Sequence, residues 1–388
     1  MGSTVGFAEP VTLGVDVLGQ TGFAPIAGKR VGLITNHTGL TADGRTTIDL
    51  LNDAEEVALV RLFGPEHGIR GELDQSQIDD AVDGPTGLPI VSLYGPRRTP
   101  DPQHLAGLDA LVFDIQDIGC RFYTYISTMK LAMRAAADAG VAFVVLDRPN
   151  PIGGVAVEGP MLDPGEETFV ACHPLPVRHG MTVGELAELF RREGDDRGPI
   201  NVNLTVVPCK GWRRAMTWDQ TGLVWTNPSP NMRRLTQALL YPGVGLLETT
   251  NLSVGRGTDT PFELFGAPWI NPTELAAALN AAPTPGVQFV PRYFTPSSSN
   301  HEGKRCGGVD IILEDADQLH ATNVGLMIAA TLRRLYPDGW ETKRFNRLLV
   351  SEACFAAVNG GEPANSLPSL SAQGLSEFKQ RRAQVLRY

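Results

Sequence analysis

VALVRLFGPEHG, residues 57–68, joins an apolar run broken by one arginine to a turn that sets a carboxylate and an imidazole between two glycines. A half-buried strand would alternate apolar and polar residues. A near-continuous Val/Leu run instead reads as a strand buried on both faces, as in a parallel sheet. Four further runs of the same kind occur in the first 150 residues: Arg30–Thr35 (RVGLIT), Leu88–Tyr94 (LPIVSLY), Ala110–Ile115 (ALVFDI) and Val141–Leu146 (VAFVVL). Helical segments fall between some of them. TTIDLLND follows the first run, and STMKLAMRAAADAG is predicted to start at Ser127 as cap and stop at Gly140. Strands alternating with helices predict an α/β fold with a mostly parallel sheet and flanking helices.

In such sheets ligands bind beyond the carboxyl ends of the strands. After the first run comes Asn36-His37-Thr38-Gly39, and after the second Gly64-Pro65-Glu66-His67-Gly68. The third is followed by Tyr94-Gly95, the fourth by Asp114 to Asp117 and then Arg121, Tyr123 and Tyr125, and the fifth by Asp147-Arg148-Pro149-Asn150. Polar residues thus collect at one edge, and the expectation is a pocket there. Beyond residue 150, TVGELAELFRR carries a capping box of Thr182 and Glu185, Val202–Pro208 reads as a strand, and Trp225–Asn231 is a Pro-rich loop. The boundary is placed after that loop, giving an N-terminal part over 1–233 and a C-terminal part of mixed strands and helices (α+β) over 234–388. In the second, GVDIILED (307–314) reads as a strand.

The 388 residues fit one large or two ordinary domains, with 42% hydrophobic and 20% charged residues. A formal net charge of -10 argues against a nucleic-acid partner. No apolar stretch reaches membrane-spanning length. Five widely spaced cysteines without a CxxC pair argue against a structural zinc site or disulfide framework, and suit a reducing compartment. The opening MGSTVGFAEP has neither a basic nor an apolar leader region, which reads as cytoplasmic, or as extracytoplasmic had a leader been removed.

Several chemistries lack their motif. GxGxxG after a strand, GxxxxGK[ST] and GxSxG are missing, and VFDIQDIG spaces its aspartates at i and i+3. His37, His67, Asp114 and Asp147 leave a metal-dependent hydrolase as one alternative. Carboxylate chemistry is the main survivor, and glycoside hydrolysis uses two acidic groups. Glu66, Asp114, Asp117, Asp147, Glu248, Asp259 and Glu263 are the candidates, each also able to serve as an ordinary salt bridge or cap. Glu66 stands out on its glycine-bounded turn. Tyr123 and Tyr125 are candidate sugar-stacking walls. Arg256, between two glycines, could pair with a ligand carboxylate or with Asp259.

Together the motifs ITNHTG, LFGPEHGIRG, DIQDIGCRFYTYI, LDRPNPIGG, RHGMTVGELA, NPSPNM, YPGVGLLETTNLSVGRGTDTPFELFGAPW and PRYFTP, in this order from about Gly28 to the C-terminus, resemble the exo-β-N-acetylmuramidases. These are the NamZ-like glycoside hydrolases, formerly a domain of unknown function. The resemblance implies a Rossmann-like N-terminal domain, a smaller C-terminal one and a site in the cleft between them. It implies removal of terminal β-linked N-acetylmuramic acid from peptidoglycan fragments, without metal or cofactor. The glutamate of the PEHG motif falls on Glu66 as catalytic carboxylate, and Glu248 matches a second acidic position. On that basis Glu66 is expected as general acid with His67 beside it, and Glu248 as opposing base or stabiliser. Arg256 is expected to meet the lactyl carboxylate. Asn36, Asp114, Asn227, Asn231 and Asp259 are further expected substrate contacts, with Tyr123 and Tyr125 as walls. The rival reading is a non-catalytic receptor for a cell-wall sugar.

Overall fold

The computed structural model describes residues 10–66, 68–69, 79–282 and 284–388. Twelve strands are present among them: β1 (Arg30–Thr35), β2 (Ala58–Gly64), β3 (Ala81–Val82), β4 (Pro89–Ser92), β5 (Ala110–Asp114), β6 (Ala142–Leu146), β7 (Glu158–Met161), β8 (Pro176–Arg178), β9 (Leu204–Val207), β10 (Leu264–Ala267), β11 (Val287–Phe294) and β12 (Cys306–Leu313). The five apolar runs and Val202–Pro208 all become strands of one sheet, with order β3-β4-β2-β1-β5-β6-β9. Every neighbour in it is parallel except the short edge pair β3–β4. From β1 the chain moves outward through β2 and β4 on one side and through β5, β6 and β9 on the other. The strand order therefore turns back at β1, the place where open α/β sheets form their crevice.

The continuous apolar pattern has the expected cause. Residues of β1 and β5 are buried on both faces. One apolar layer containing Ile34, Phe63, Phe113 and Val145 lies on one side, and another containing Val31, Leu62, Val112 and Val144 lies on the other. The helix Val183–Glu193 starts on the expected capping box of Thr182 and Glu185. Gly140 ends the helix Tyr125–Ala139 in the left-handed region at φ 69. The start of that helix differs from expectation. Thr124 is its N-cap and Ser127 is buried in the first turn. Thr124 makes no side-chain cap, because its hydroxyl is engaged with Glu66.

The C-terminal part carries a three-stranded antiparallel sheet, order β10-β12-β11, with GVDIILED as its central strand. The helices Leu235–Val244 and Ala321–Leu335 cross at Gly243 and Gly325. A Cβ on Gly243 would lie 1.9 Å from the Ala321 carbonyl oxygen, so only glycine permits this approach. The larger apolar layer runs without a break from Ile34 to Val385, so both parts of the chain share one core. The two walls of any cleft between them are thereby held together by continuous packing, against the default of freely moving domains.

A polar cluster also crosses between the parts. Arg178 Nη1 lies 2.8 Å from Glu158 Oε1, and His320 Nδ1 lies 3.8 Å from the same oxygen. Glu158 raises the His320 pKa above the usual 6.5. Burial pushes Glu158 upward, but His320 and Arg178 outweigh it and hold the carboxylate below its ordinary range. A raised histidine stabilises below its unfolded pKa and loses that contribution as pH rises through the folded one; a depressed carboxylate stabilises above its unfolded pKa and loses it as pH falls. Both contributions are present between about pH 4.5 and 6.5. The thermal midpoint of His320→Gln should therefore lie below wild type at pH 6, with the gap closing by pH 9. A gap independent of pH in thermal scans would contradict this.

Candidate active site

The turn after β2 presents Glu66 half-buried at the carboxyl edge of the sheet, closed by a Gly68 amide donating to the Pro65 carbonyl at 3.0 Å. Tyr94, just beyond β4, donates its hydroxyl to Glu66 Oε1 at 2.7 Å. Thr124, in the loop beyond β5, donates its hydroxyl to Glu66 Oε2. Parallel pairing of β2 with β4, and of β1 with β2 and β5, brings these loops to one edge. Both carboxyl oxygens are thus fixed by hydroxyls. A hydroxyl accepts as readily as it donates, so the same pair can hold Glu66 with or without its proton. The loop carrying Thr124 is shaped by Gly119 at φ 82, where a Cβ would lie 2.5 Å from the Asn150 side-chain oxygen.

Glu66 stands where two lobes of a cleft meet. The smaller, about 380 Å³, is lined by Tyr123, Asn231, Tyr241, Glu248, Arg256 and Phe262 among others. The larger, about 670 Å³, is lined by Tyr94, Arg98, Asp163, Phe169 and Glu352 among others. Glu66, Thr124, Val170 and Arg347 belong to both. The larger lobe continues past Arg98, Thr168 and Phe169 into a third cavity of about 860 Å³. Among the described residues, the smaller shares none of its lining with that cavity. These volumes suit saccharide-sized ligands. The small lobe has an aromatic wall, with Tyr241 meeting Phe262 edge-on at 4.6 Å between centroids and Tyr123 at 6.0 Å. Glu248 follows the turn Gly245–Leu247, and its Oε1 lies 2.5 Å from Arg256 Nη1.

Of the residues singled out in the sequence, Glu66, Tyr123, Asn231, Glu248 and Arg256 therefore line one lobe. Arg256 takes Glu248 as its partner, and Asp259 is an exposed loop residue away from the lining. Tyr125 packs edge-on behind Tyr123 at 5.1 Å and donates its hydroxyl to the Pro228 carbonyl, so it supports the wall without facing the cleft. Asn36 is buried and turns its side-chain oxygen onto the Thr38 amide at 2.9 Å, fixing the turn after β1. Asn227 is exposed, and its carbonyl meets His37 Nε2 at 2.5 Å. His67 lies outside the described residues. Among those described, no group of three or more His, Cys, Asp and Glu is placed to hold a metal ion. Asp147 lies instead under the helix Val183–Glu193, accepting from the Gly184 amide at 2.8 Å and the Tyr388 hydroxyl at 2.7 Å, and burial pushes its pKa up to about 6.

Asp114 also leaves the site. It is fully buried, accepts from the Thr47 hydroxyl and pairs with Arg148 at 2.6 Å. Removing one member of such a pair strands a buried charge and costs about 3–5 kcal/mol. Asp114→Ala should lower the thermal midpoint by several degrees, and adding Arg148→Met should restore part of it. A raised KM with no loss of stability would instead return Asp114 to substrate binding.

Tyr94, Thr124, Phe169 and Arg347 were not singled out as site residues in the sequence. Tyr94 and Thr124 carry a local signal: Tyr94 ends the apolar run LPIVSLY, and Thr124 lies inside the motif DIQDIGCRFYTYI. Phe169 and Arg347 carry none, and only the tertiary fold brings them to the cleft.

Comparison with known proteins agrees with this architecture. Residues 31–236 match the family model described as exo-β-N-acetylmuramidase NamZ, N-terminal, and residues 239–388 match its C-terminal counterpart. The peptidoglycan β-N-acetylmuramidase NamZ of Bacillus subtilis (strain 168) is 42% identical over 382 residues, covering 97% of this chain and 91% of that protein. A crystal structure of a DUF1343 family protein from Bacteroides fragilis NCTC 9343 superposes with a TM-score of 0.92 at 37% identity, covering 98% of this chain and 100% of that one. A second from the same organism gives 0.80 at 29% identity, covering 97% and 99%. With matches running through both parts of the chain and the same fold in solved relatives, this protein belongs to the exo-β-N-acetylmuramidase NamZ family.

Proposed function

We propose that the protein is an exo-acting glycoside hydrolase that releases terminal β-linked N-acetylmuramic acid from peptidoglycan fragments, in cell-wall turnover. The observation that carries this is Glu66, held at both oxygens, at the junction of a small lobe and a larger lobe that runs on into a further cavity. That polarity suits exo cleavage. One terminal sugar occupies the small lobe, and the rest of the fragment leaves through the larger one. The family membership and the Bacillus subtilis relative supply the sugar.

In this reading Glu66 protonates the glycosidic oxygen as the bond to the leaving sugar breaks. Tyr94 and Thr124 fix the direction of the carboxyl group, which matters because a misplaced acid loses most of its effect. Glu248 lies in the sugar's lobe and offsets positive charge that develops on the ring, or activates the water that completes hydrolysis. Arg256 holds Glu248 in place. Asn231 and Ser229 line the same lobe within reach of hydroxyl or acetamido groups, and Tyr123 and Tyr241 form its wall.

The test is product analysis by mass spectrometry on glycan fragments that end in N-acetylmuramic acid. Free N-acetylmuramic acid and a fragment shortened by one sugar are expected. Fragments cut internally would contradict the exo reading.

A further inference from the structure

Among the described residues, four charged side chains line the small lobe: Glu66, Glu248, Arg256 and Arg347. Glu248 and Arg256 lie 2.5 Å apart, so their charges largely cancel. A general acid enters the reaction protonated and neutral. Among the described residues, the remaining charge in the lobe is then Arg347. It makes no ion pair among the described residues, and like Glu66 it lines both lobes. Among the described residues, Arg98 also lines the larger lobe, where it lies over the Phe169 ring at 4.4 Å, and it is not part of the small lobe's lining.

The placement of Arg347 is built into the fold. It sits on the short helix Asn346–Leu349, whose last carbonyls at Leu348 and Leu349 accept from Arg121 Nη2 at 3.0 and 2.6 Å. Arg121 is fully buried, and its Nη1 also donates to Leu175 O at 2.9 Å and Pro160 O at 3.1 Å. It belongs to the same loop that delivers Thr124 to Glu66. One buried guanidinium therefore ties the backbone bearing Arg347 to the backbone bearing the partner of the catalytic carboxylate.

Resting on the proposed function, we infer that Arg347 recognises the lactyl carboxylate of N-acetylmuramic acid and is the residue that separates this sugar from N-acetylglucosamine. Arg256, which the sequence suggested for this role, is a positioning residue for Glu248. The lactyl ether is the whole difference between the two sugars. A charge-assisted contact to it gives selectivity that shape alone does not.

The test compares aryl β-N-acetylmuramide and aryl β-N-acetylglucosaminide on wild type, Arg347→Met, Arg347→Lys and Arg256→Met, with calorimetric binding of the two free sugars to the same proteins. Arg347→Met should reduce the kcat/KM preference for the muramide about 10- to 100-fold, chiefly through KM, and reduce the binding preference in parallel. Arg347→Lys should recover part of both. Arg256→Met should lower turnover of both substrates and keep their ratio. An unchanged ratio in folded Arg347→Met protein, or a ratio that collapses in Arg256→Met instead, would overturn the assignment. If wild type cleaves neither substrate, the proposed activity fails; the binding preference then upholds or overturns the role of Arg347 separately.

Discussion

Glu66→Gln is expected to lower kcat on natural fragments by about 10²–10⁴-fold, the usual contribution of a positioned general acid. The substitution keeps shape, so binding of free N-acetylmuramic acid should change little. Tyr94 can still donate to the amide oxygen, and Thr124 can turn to accept from the amide nitrogen, so the group keeps both its partners. Only the transferable proton is lost. The size of the loss should depend on the leaving group. A nitrophenolate departs with little help from an acid, so the deficit on an activated aryl muramide should be several-fold to tenfold or more smaller than on a sugar leaving group. An equal deficit on both would move Glu66 to the other chemical role, as nucleophile or base. A receptor that only binds the sugar would have no turnover for Glu66→Gln to remove.

Glu248→Gln is expected to cost about 10²–10³-fold in kcat, on the scale of removing one preorganised electrostatic stabiliser. This loss should be nearly the same for sugar and aryl leaving groups, because Glu248 acts on the side of the sugar ring and not on the departing oxygen. The substitution also takes from Arg256 its carboxylate partner at 2.5 Å, adding positive charge where the ring becomes positive. The double substitution Glu248→Gln with Arg256→Met should therefore lose less than the two single losses multiplied together. Steady-state kinetics on both substrate types checks this. Independent, multiplicative losses would show that the ion pair does not act as a unit.

The α/β fold was legible because two-sided burial leaves a direct imprint. β1 and β5 are apolar at nearly every position, and parallel strands of this kind read unlike any surface element. The two-residue edge strand β3 is exposed and left no such imprint. The ribbon β7–β8 is largely buried, but its strands of four and three residues are too short to show a pattern. Glu66 and Asp114 show what is missing at the site. Each is an acidic residue at or just past a parallel strand, and nothing local separates them. What separates them is the partner: Arg148, a strand further on, reaches Asp114, while Tyr94 and Thr124 reach Glu66 with groups that leave its chemistry open. The same limit applies to Arg256, whose pairing with Glu248 depends on how a loop folds back. It applies more strongly to Arg347, which arrives at the cleft on a helix held by a buried arginine from the other part of the chain.

The most direct test of the account is release of the aryl group from a chromogenic β-N-acetylmuramide by purified wild-type protein, with the β-N-acetylglucosaminide as control and Glu66→Gln alongside. The account predicts turnover of the muramide well above the glucosaminide, with a lower rate in Glu66→Gln. Release from neither substrate by folded protein, or release unaffected by Glu66→Gln, would contradict it.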